Sequence, residues 1–253
     1  NGMPMWFQQK AAPELIGKPL KTGFPYELVS TLQIKKAGGY DLCGEDEAKW
    51  AEHAGDPNYN LVNDCCKAMN DGGNPGALGF TEIQQKSMSY AMNKGPGRDD
   101  FVRYWRLMAE AVVDHPSAFA AELMNEPMTI HRTAMFDCWR ACADAINSVI
   151  PDMSVAIADV GEGSIVPAWI TELTGGHEGI SGDTMKWIKG SDSAFYAWHY
   201  GDVPADIKNM QEISREWNVP NFGTELGCTQ FDAAKAADIS HSYWHYSAYC
   251  NTG

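Results

Sequence analysis

From Arg98 onward the chain alternates helices with short apolar strands, and this constrains its possible folds more than any other feature. RDDFVRYWRLMAEAVVDHP, Arg98 to Pro116, places Phe101, Trp105, Met108 and Val112 on one helical face, opens with acidic residues and stops at proline. The strand FAAELMNE, the helix HRTAMFDCWRACADAINSVI and the strand SVAIADV follow as a βαβ unit. A helix near Ile165 to Thr174 comes next, then strand SAFYAWHY, helix DIKNMQEISREW, strand NFGTELG, helix FDAAKAADIS and strand SYWHYSAY. Five strands separated by helices pair in parallel through crossovers. The expected class is therefore α/β, either a barrel or an open doubly wound sheet.

Residues Asn1 to Gly97 read differently. They are rich in Gly, Pro, Asn and Lys, with YELVSTLQI (Tyr26 to Ile34) as the best apolar stretch and GDPNYN and NDGGNPG as turns. This part is expected to be a long loop-rich segment with short helices, and residues 98–253 to hold the strands.

Three strands finish with chemically useful side chains: Asn125 and Glu126 on the first, His199 and Tyr200 on the third, Glu225 on the fourth. In a parallel barrel every strand C-terminus lies on one face, so these groups converge although they are distant in sequence. Two carboxylates about 5 Å apart suit retaining glycoside hydrolysis, one attacking the anomeric carbon and the other protonating the leaving oxygen. The acid must hold its proton near neutral pH, so its neighbours must raise its pKa. Asn125 can hydrogen-bond a sugar hydroxyl, and Trp198 and Trp244 are expected at the rim, stacking on pyranose faces. This chemistry requires no metal or cofactor.

Each acid also has a plainer explanation. Glu126 before Pro127 could be a solvated turn, and Glu225 a buried acid paired with an arginine. What favours a catalytic pair is that both acids end apolar strands of one βα array. Asp159 and Glu162 read as surface or rim acids. His241 and His245 are spaced like a zinc pair but lack the glutamate of that motif, so packing or rim hydrogen bonding is expected of them.

Composition narrows the partners. The 253 residues carry a formal charge of -14, which argues against nucleic-acid backbone and anionic lipid and for a neutral substrate. No apolar run approaches the roughly 18 residues of a membrane span. No Gly-rich phosphate loop follows any strand, which disfavours a nucleotide. The 7 cysteines form no CxxC pair and no legible disulfide framework.

Taken in order, ELMNEP, WHYG, FGTELG and SYWHY resemble the second half of glycoside hydrolase family 5, the cellulase-like retaining enzymes. The resemblance runs from about Asp100 to Tyr249. It implies a TIM (β/α)8 barrel acting on a β-linked glucan, mannan or related glycoside, with Glu126 as acid/base at the end of strand four and Glu225 as nucleophile at the end of strand seven. It further implies sugar contacts by Asn125, His199 and Tyr200, and Trp244 as the floor of the reacting subsite. The opening NGMPMW resembles the loop after strand three of endoglycoceramidase-like members, which adds glycolipid as a substrate class. An extracellular or secretory location is also implied. Two departures are visible. Tyr200 follows His199 directly where the family spaces them by one residue. No arginine precedes Arg98, and the only histidine upstream of Glu126 besides His115 is His53. The expectation is a chain holding strands four to eight, with the other strands supplied from elsewhere; the alternative is a non-catalytic carbohydrate-binding relative.

Overall fold

The computed structural model describes residues 5–15, 82–160, 180–199, 203–226 and 231–243. Two compact units divide the chain, Gly2–Tyr90 and Ala91–Gly253 with Asn1. In the first, helix α1 (Met5–Ala11) leads into a 3-10 turn at Pro13–Leu15. Phe7 is buried and meets Tyr90 edge-on, and Lys86 pairs with Glu14 at 2.6 Å. Tyr90 and Lys86 belong to helix α2 (Glu82–Met92). The stretch Tyr26 to Ile34 lies outside the described residues.

The second unit carries the alternation. Helix α3 (Pro96–Val112) precedes strand β1 (Ala120–Glu122), and α4 (Arg132–Asn147) leads to β2 (Ser154–Ala158). Then come α5 (Gly182–Gly190), β3 (Ala194–His199), α6 (Val203–Trp217), β4 (Asn221–Leu226), α7 (Phe231–Ala236) and β5 (Ser240–Tyr243). All four strand pairings are parallel, and the order is β1-β2-β3-β4-β5.

That order selects between the two α/β architectures. Each right-handed crossover moves one strand further in the same direction, so every connecting helix falls on the same face. A doubly wound sheet would reverse and leave a switch point. The helices bear this out: α4 touches α5, α5 touches α6, and α6 touches α7. Described residues thus form a partial TIM barrel, a curled half-barrel of consecutive strands.

The core lies between sheet and helices. Trp217 of α6 meets Tyr196 of β3 at 5.1 Å and Phe136 of α4 at 5.7 Å, both edge-on. Trp139 of α4 donates its indole N–H to the Ala158 carbonyl at 2.9 Å, pinning the end of β2. Alternation along β3 therefore sends Tyr196 and Trp198 toward the helices, and Phe195, Ala197 and His199 to the inner face. On that inner face Phe195 meets Phe222, and Ser154, Thr224, Ser240, Ser242 and Glu122 help to line a cavity of about 400 Å³.

Several boundaries differ from the expected ones. Strand β1 stops at Glu122, so Asn125 and Glu126 sit in the turn beyond it. Strand β5 begins at Ser240, two residues before the predicted start, because Asp238 takes a positive φ of 53° and ends the preceding turn early. In α3 the buried residues are Gly97 and Ala109, while Met108 is 39% exposed, so the buried stripe is rotated from the one read in the sequence. The helix expected near Ile165 to Thr174 lies outside the described residues.

Candidate active site

Leu123 is buried at the end of β1, and the chain then turns through exposed Asn125 into Glu126 and buried Pro127. Glu126 has φ 44°, in the left-handed region that costs a non-glycine residue about 1–3 kcal/mol. The turn beyond is fixed by Thr129, whose hydroxyl accepts the His131 N–H at 2.9 Å. A strained residue followed by a buried proline is what aims the Glu126 side chain back over the strand ends.

Glu225 arrives by a different device. Across β3, Trp198 is opposite Gly223 but His199 is opposite Glu225. Across β5, Gly223 is opposite His241 and Leu226 opposite Tyr243. Strand β4 thus spends one extra residue between Gly223 and Leu226, a β-bulge. In an unbroken strand Glu225 would share the helix-facing side with Gly223. The bulge turns it to the inner side, toward His199, and brings Gly223 and Leu226 onto one face.

His199 is the centre of the cluster. It is almost fully buried, at 1% exposure. Its Nδ1 lies 2.8 Å from Glu225 Oε2 and 3.3 Å from Glu126 Oε1, and its Nε2 lies 3.6 Å from Glu122 Oε1. One donor atom from each of Glu126, His199 and Glu225 falls within 4.8 Å of the others. A divalent ion could use such a set, and 2.8 Å between nitrogen and carboxylate is also the length of a charge-assisted hydrogen bond. Burial pushes the Glu225 carboxyl above its ordinary range. The His199 charge opposes this, and the Glu126 and Glu122 carboxylates add to it.

Of the residues singled out in the sequence, Asn125, Glu126, His199 and Glu225 come to this edge of the sheet. Trp198 does not. It is 1% exposed on the helix-facing side of β3, so stacking on a sugar would require it to leave the core. Tyr200 and Trp244 lie outside the described residues, as do Glu162 and His245. His241 engages the Ile239 carbonyl at 2.7 Å.

Asp159 corrects another expectation. Rather than a rim acid, it is the partner of buried Arg132, with Arg132 Nε 2.8 Å from Oδ1 and Nη2 2.7 Å from Oδ2. Its Oδ1 also accepts the Val160 N–H, closing the end of β2. Cys138 and Cys142 are free and buried on α4; the other five cysteines lie outside the described residues. Glu122 was passed over in the sequence, although a charged residue inside an apolar strand, four before Glu126, was its signal.

Comparison with solved structures returns sugar-cleaving enzymes at low identity. Endo-glycoceramidase II from Rhodococcus sp. is 17% identical with a TM-score of 0.48, the match covering 79% of this chain and 51% of that one. The catalytic domain of Thermobifida fusca endoglucanase Cel5A is 16% identical with a TM-score of 0.44, covering 63% and 52%. A further endoglucanase is 15% identical with a TM-score of 0.43, covering 58% of each chain. The chain thus spans from 51% to 58% of the length of these structures. No protein-family model and no curated protein matches the sequence.

Proposed function

We propose that this chain carries the catalytic pair of a retaining β-glycoside hydrolase, with Glu126 as acid/base and Glu225 as nucleophile. The observation that supports this is their separation: carboxylate oxygens of the two residues lie within 4.8 Å, both against Nδ1 of His199. Retaining enzymes hold their carboxyl groups about 5–5.5 Å apart, whereas inverting ones need about 6.5–9.5 Å to admit a water. A short gap leaves room for direct attack on the anomeric carbon and for a covalent glycosyl intermediate.

The proton count also fits. Double displacement needs one proton between two carboxyl groups at the start, one protonated acid and one ionised nucleophile. Burial of Glu225 beside Glu126 and Glu122 favours retention of a proton in the cluster, while the positive His199 limits it. Substrate binding then has to settle the proton on Glu126 and leave Glu225 ionised. Asn125, exposed beside the acid, would hydrogen-bond the sugar, and Tyr200 and Trp244 complete the subsite in this reading.

The substrate proposed from the motifs is a β-linked glucan, mannan or related glycoside, with glycolipid as the variant suggested by NGMPMW, and an extracellular or secretory setting goes with it. A fluorinated 2-deoxy-2-fluoro-β-glycoside should label the protein once, on the peptide containing Glu225, as read by mass spectrometry. Glu225→Gln should abolish both labelling and turnover of an aryl β-glycoside. Product released with inverted anomeric configuration, or full turnover by Glu225→Gln, would remove this assignment.

A further inference from the structure

Glu122 belongs to no role assigned so far, yet its carboxylate faces the ring at the centre of the site. Its Oε1 is buried, makes no hydrogen bond among the described residues, and lies 3.6 Å from His199 Nε2. The opposite ring nitrogen, Nδ1, lies 2.8 Å from Glu225 and 3.3 Å from Glu126. Both nitrogens of one imidazole therefore face carboxylate oxygens.

A neutral imidazole carries one N–H and one lone pair. Whichever nitrogen lacked the proton would present its lone pair to a carboxyl group, a repulsive contact when that group is ionised. Only the imidazolium turns an N–H toward the carboxyl groups on both sides. Burial opposes that charge, but three carboxylates surround it. The remaining strand-end charges do not compete: on β2, Asp159 pairs with Arg132, and on β5, His241 engages the Ile239 carbonyl.

We propose that Glu122 is a positioning residue that acts through His199, holding it as the imidazolium whose Nδ1–H bridges Glu225 and Glu126. This deepens the hydrolase reading and rests on it for its purpose. Two carboxylates within 4.8 Å repel when both are ionised, and a fixed cation between them allows the pair to stay close through the reaction. Glu122 supplies the countercharge on the far side of the ring, so the cation persists without drawing a proton from either catalytic acid.

The test is ring titration by NMR, following the His199 carbon-bound protons and both ring nitrogens in wild type, Glu122→Gln and Glu122→Asp. In wild type the ring should remain doubly protonated well above the ordinary imidazole midpoint of about 6.5. Glu122→Gln should lower the midpoint by about 1–3 pH units, the usual effect of one close opposite charge, and Glu122→Asp should restore part of it. A wild-type ring that titrates at or below 6.5, or a midpoint unmoved by Glu122→Gln, overturns the proposal. The wild-type measurement decides even where a variant fails to fold. Because the readout is a titration, a ring that behaves as expected in a protein without glycosidase activity would fault the hydrolase reading alone.

Discussion

Gly223→Ala tests whether the bulge in β4 aims Glu225. The backbone at Gly223 is outside the left-handed region, so alanine can adopt it and the cost comes from contact alone. A Cβ there would lie 2.9 Å from both Cγ and Cδ1 of Leu226 and 3.2 Å from Cδ2. Carbon atoms settle at about 3.5–4.0 Å, so three atoms of one side chain are each too close by a few tenths of an ångström or more. Leu226 is fully buried. Overpacking of this kind costs about 1–3 kcal/mol. The lost backbone entropy of the unfolded chain returns about 0.4–1 kcal/mol, leaving a net destabilisation of about 1–2 kcal/mol. The strain should relax along β4, and Glu225 is the residue beside Leu226. A displacement near 1 Å at a reacting group can cost about a hundredfold in rate.

Chemical denaturation and aryl-glycoside kinetics, run on a double-mutant cycle with Leu226→Ala, would check this. Leu226→Ala alone should cost about 2–5 kcal/mol by opening a cavity. In that background Gly223→Ala no longer meets a side chain, so its effect should vanish or change sign to a stabilisation of about 0.4–1 kcal/mol. A Gly223→Ala penalty of equal size in both backgrounds would refute the steric account. Unchanged kcat in Gly223→Ala would separate the bulge from the aim of Glu225.

The Glu225 carboxyl binds its proton more tightly in the folded chain than its ordinary value of 4.5, chiefly through burial. Folded protein then holds more protons than unfolded above that value, so stability falls as pH rises from about 4.5 through the raised pKa. Glu225→Gln removes that loss: its melting temperature should exceed wild type at pH 7, with the gap closing below pH 4.5. Breaking the Arg132–Asp159 pair from one side, by Asp159→Asn or Arg132→Met, should cost about 3–5 kcal/mol in denaturant titrations, because the survivor is a buried charge without its partner. Trp198→Phe should leave KM for the glycoside within about twofold, since the ring faces the helices and its Nε1 has no partner among the described residues; a many-fold rise would return Trp198 to the sugar site. Cys138 and Cys142 should resist alkylation in the native state, followed by peptide mass spectrometry. Both are fully buried, and the Cys142 thiol is pushed far up by its hydrogen bond with Cys138 and by burial.

How much of this could be read from the sequence depended on which interaction decided each feature. The βα alternation needs only local periodicity and apolar runs, so the order of elements from α3 to β5 was legible except for α5, which lies at Gly182–Gly190 where no helix was expected. The choice of barrel over doubly wound sheet came from the resemblance of the strand-end motifs and not from periodicity, because strand order is a long-range property that no single segment encodes. Trp198 illustrates the limit of position along the chain. It is one residue from His199, and a period of two put it in the core. Asp159 was misread because its partner, Arg132, is 27 residues away at the start of a helix.

Glu225 is the sharpest case, since the alternation that located its strand also mis-aims its side chain. Counting by twos from Asn221 and Gly223 sends Glu225 toward the helices, where an unpaired carboxylate would be severely destabilising. Only an inserted residue brings it to His199, and the sequence marks that insertion by the glycine needed under Leu226. The same physics governs Glu126, which reaches the site by accepting a positive φ beside a proline. Both acids therefore occupy positions that regular β-structure would not give them, and each is held beside a buried residue that resists relaxation. A strand that merely ended in solvent would have no reason to hold either distortion, so a bulge and a strained turn meeting at one histidine argue for a site with a ligand to position.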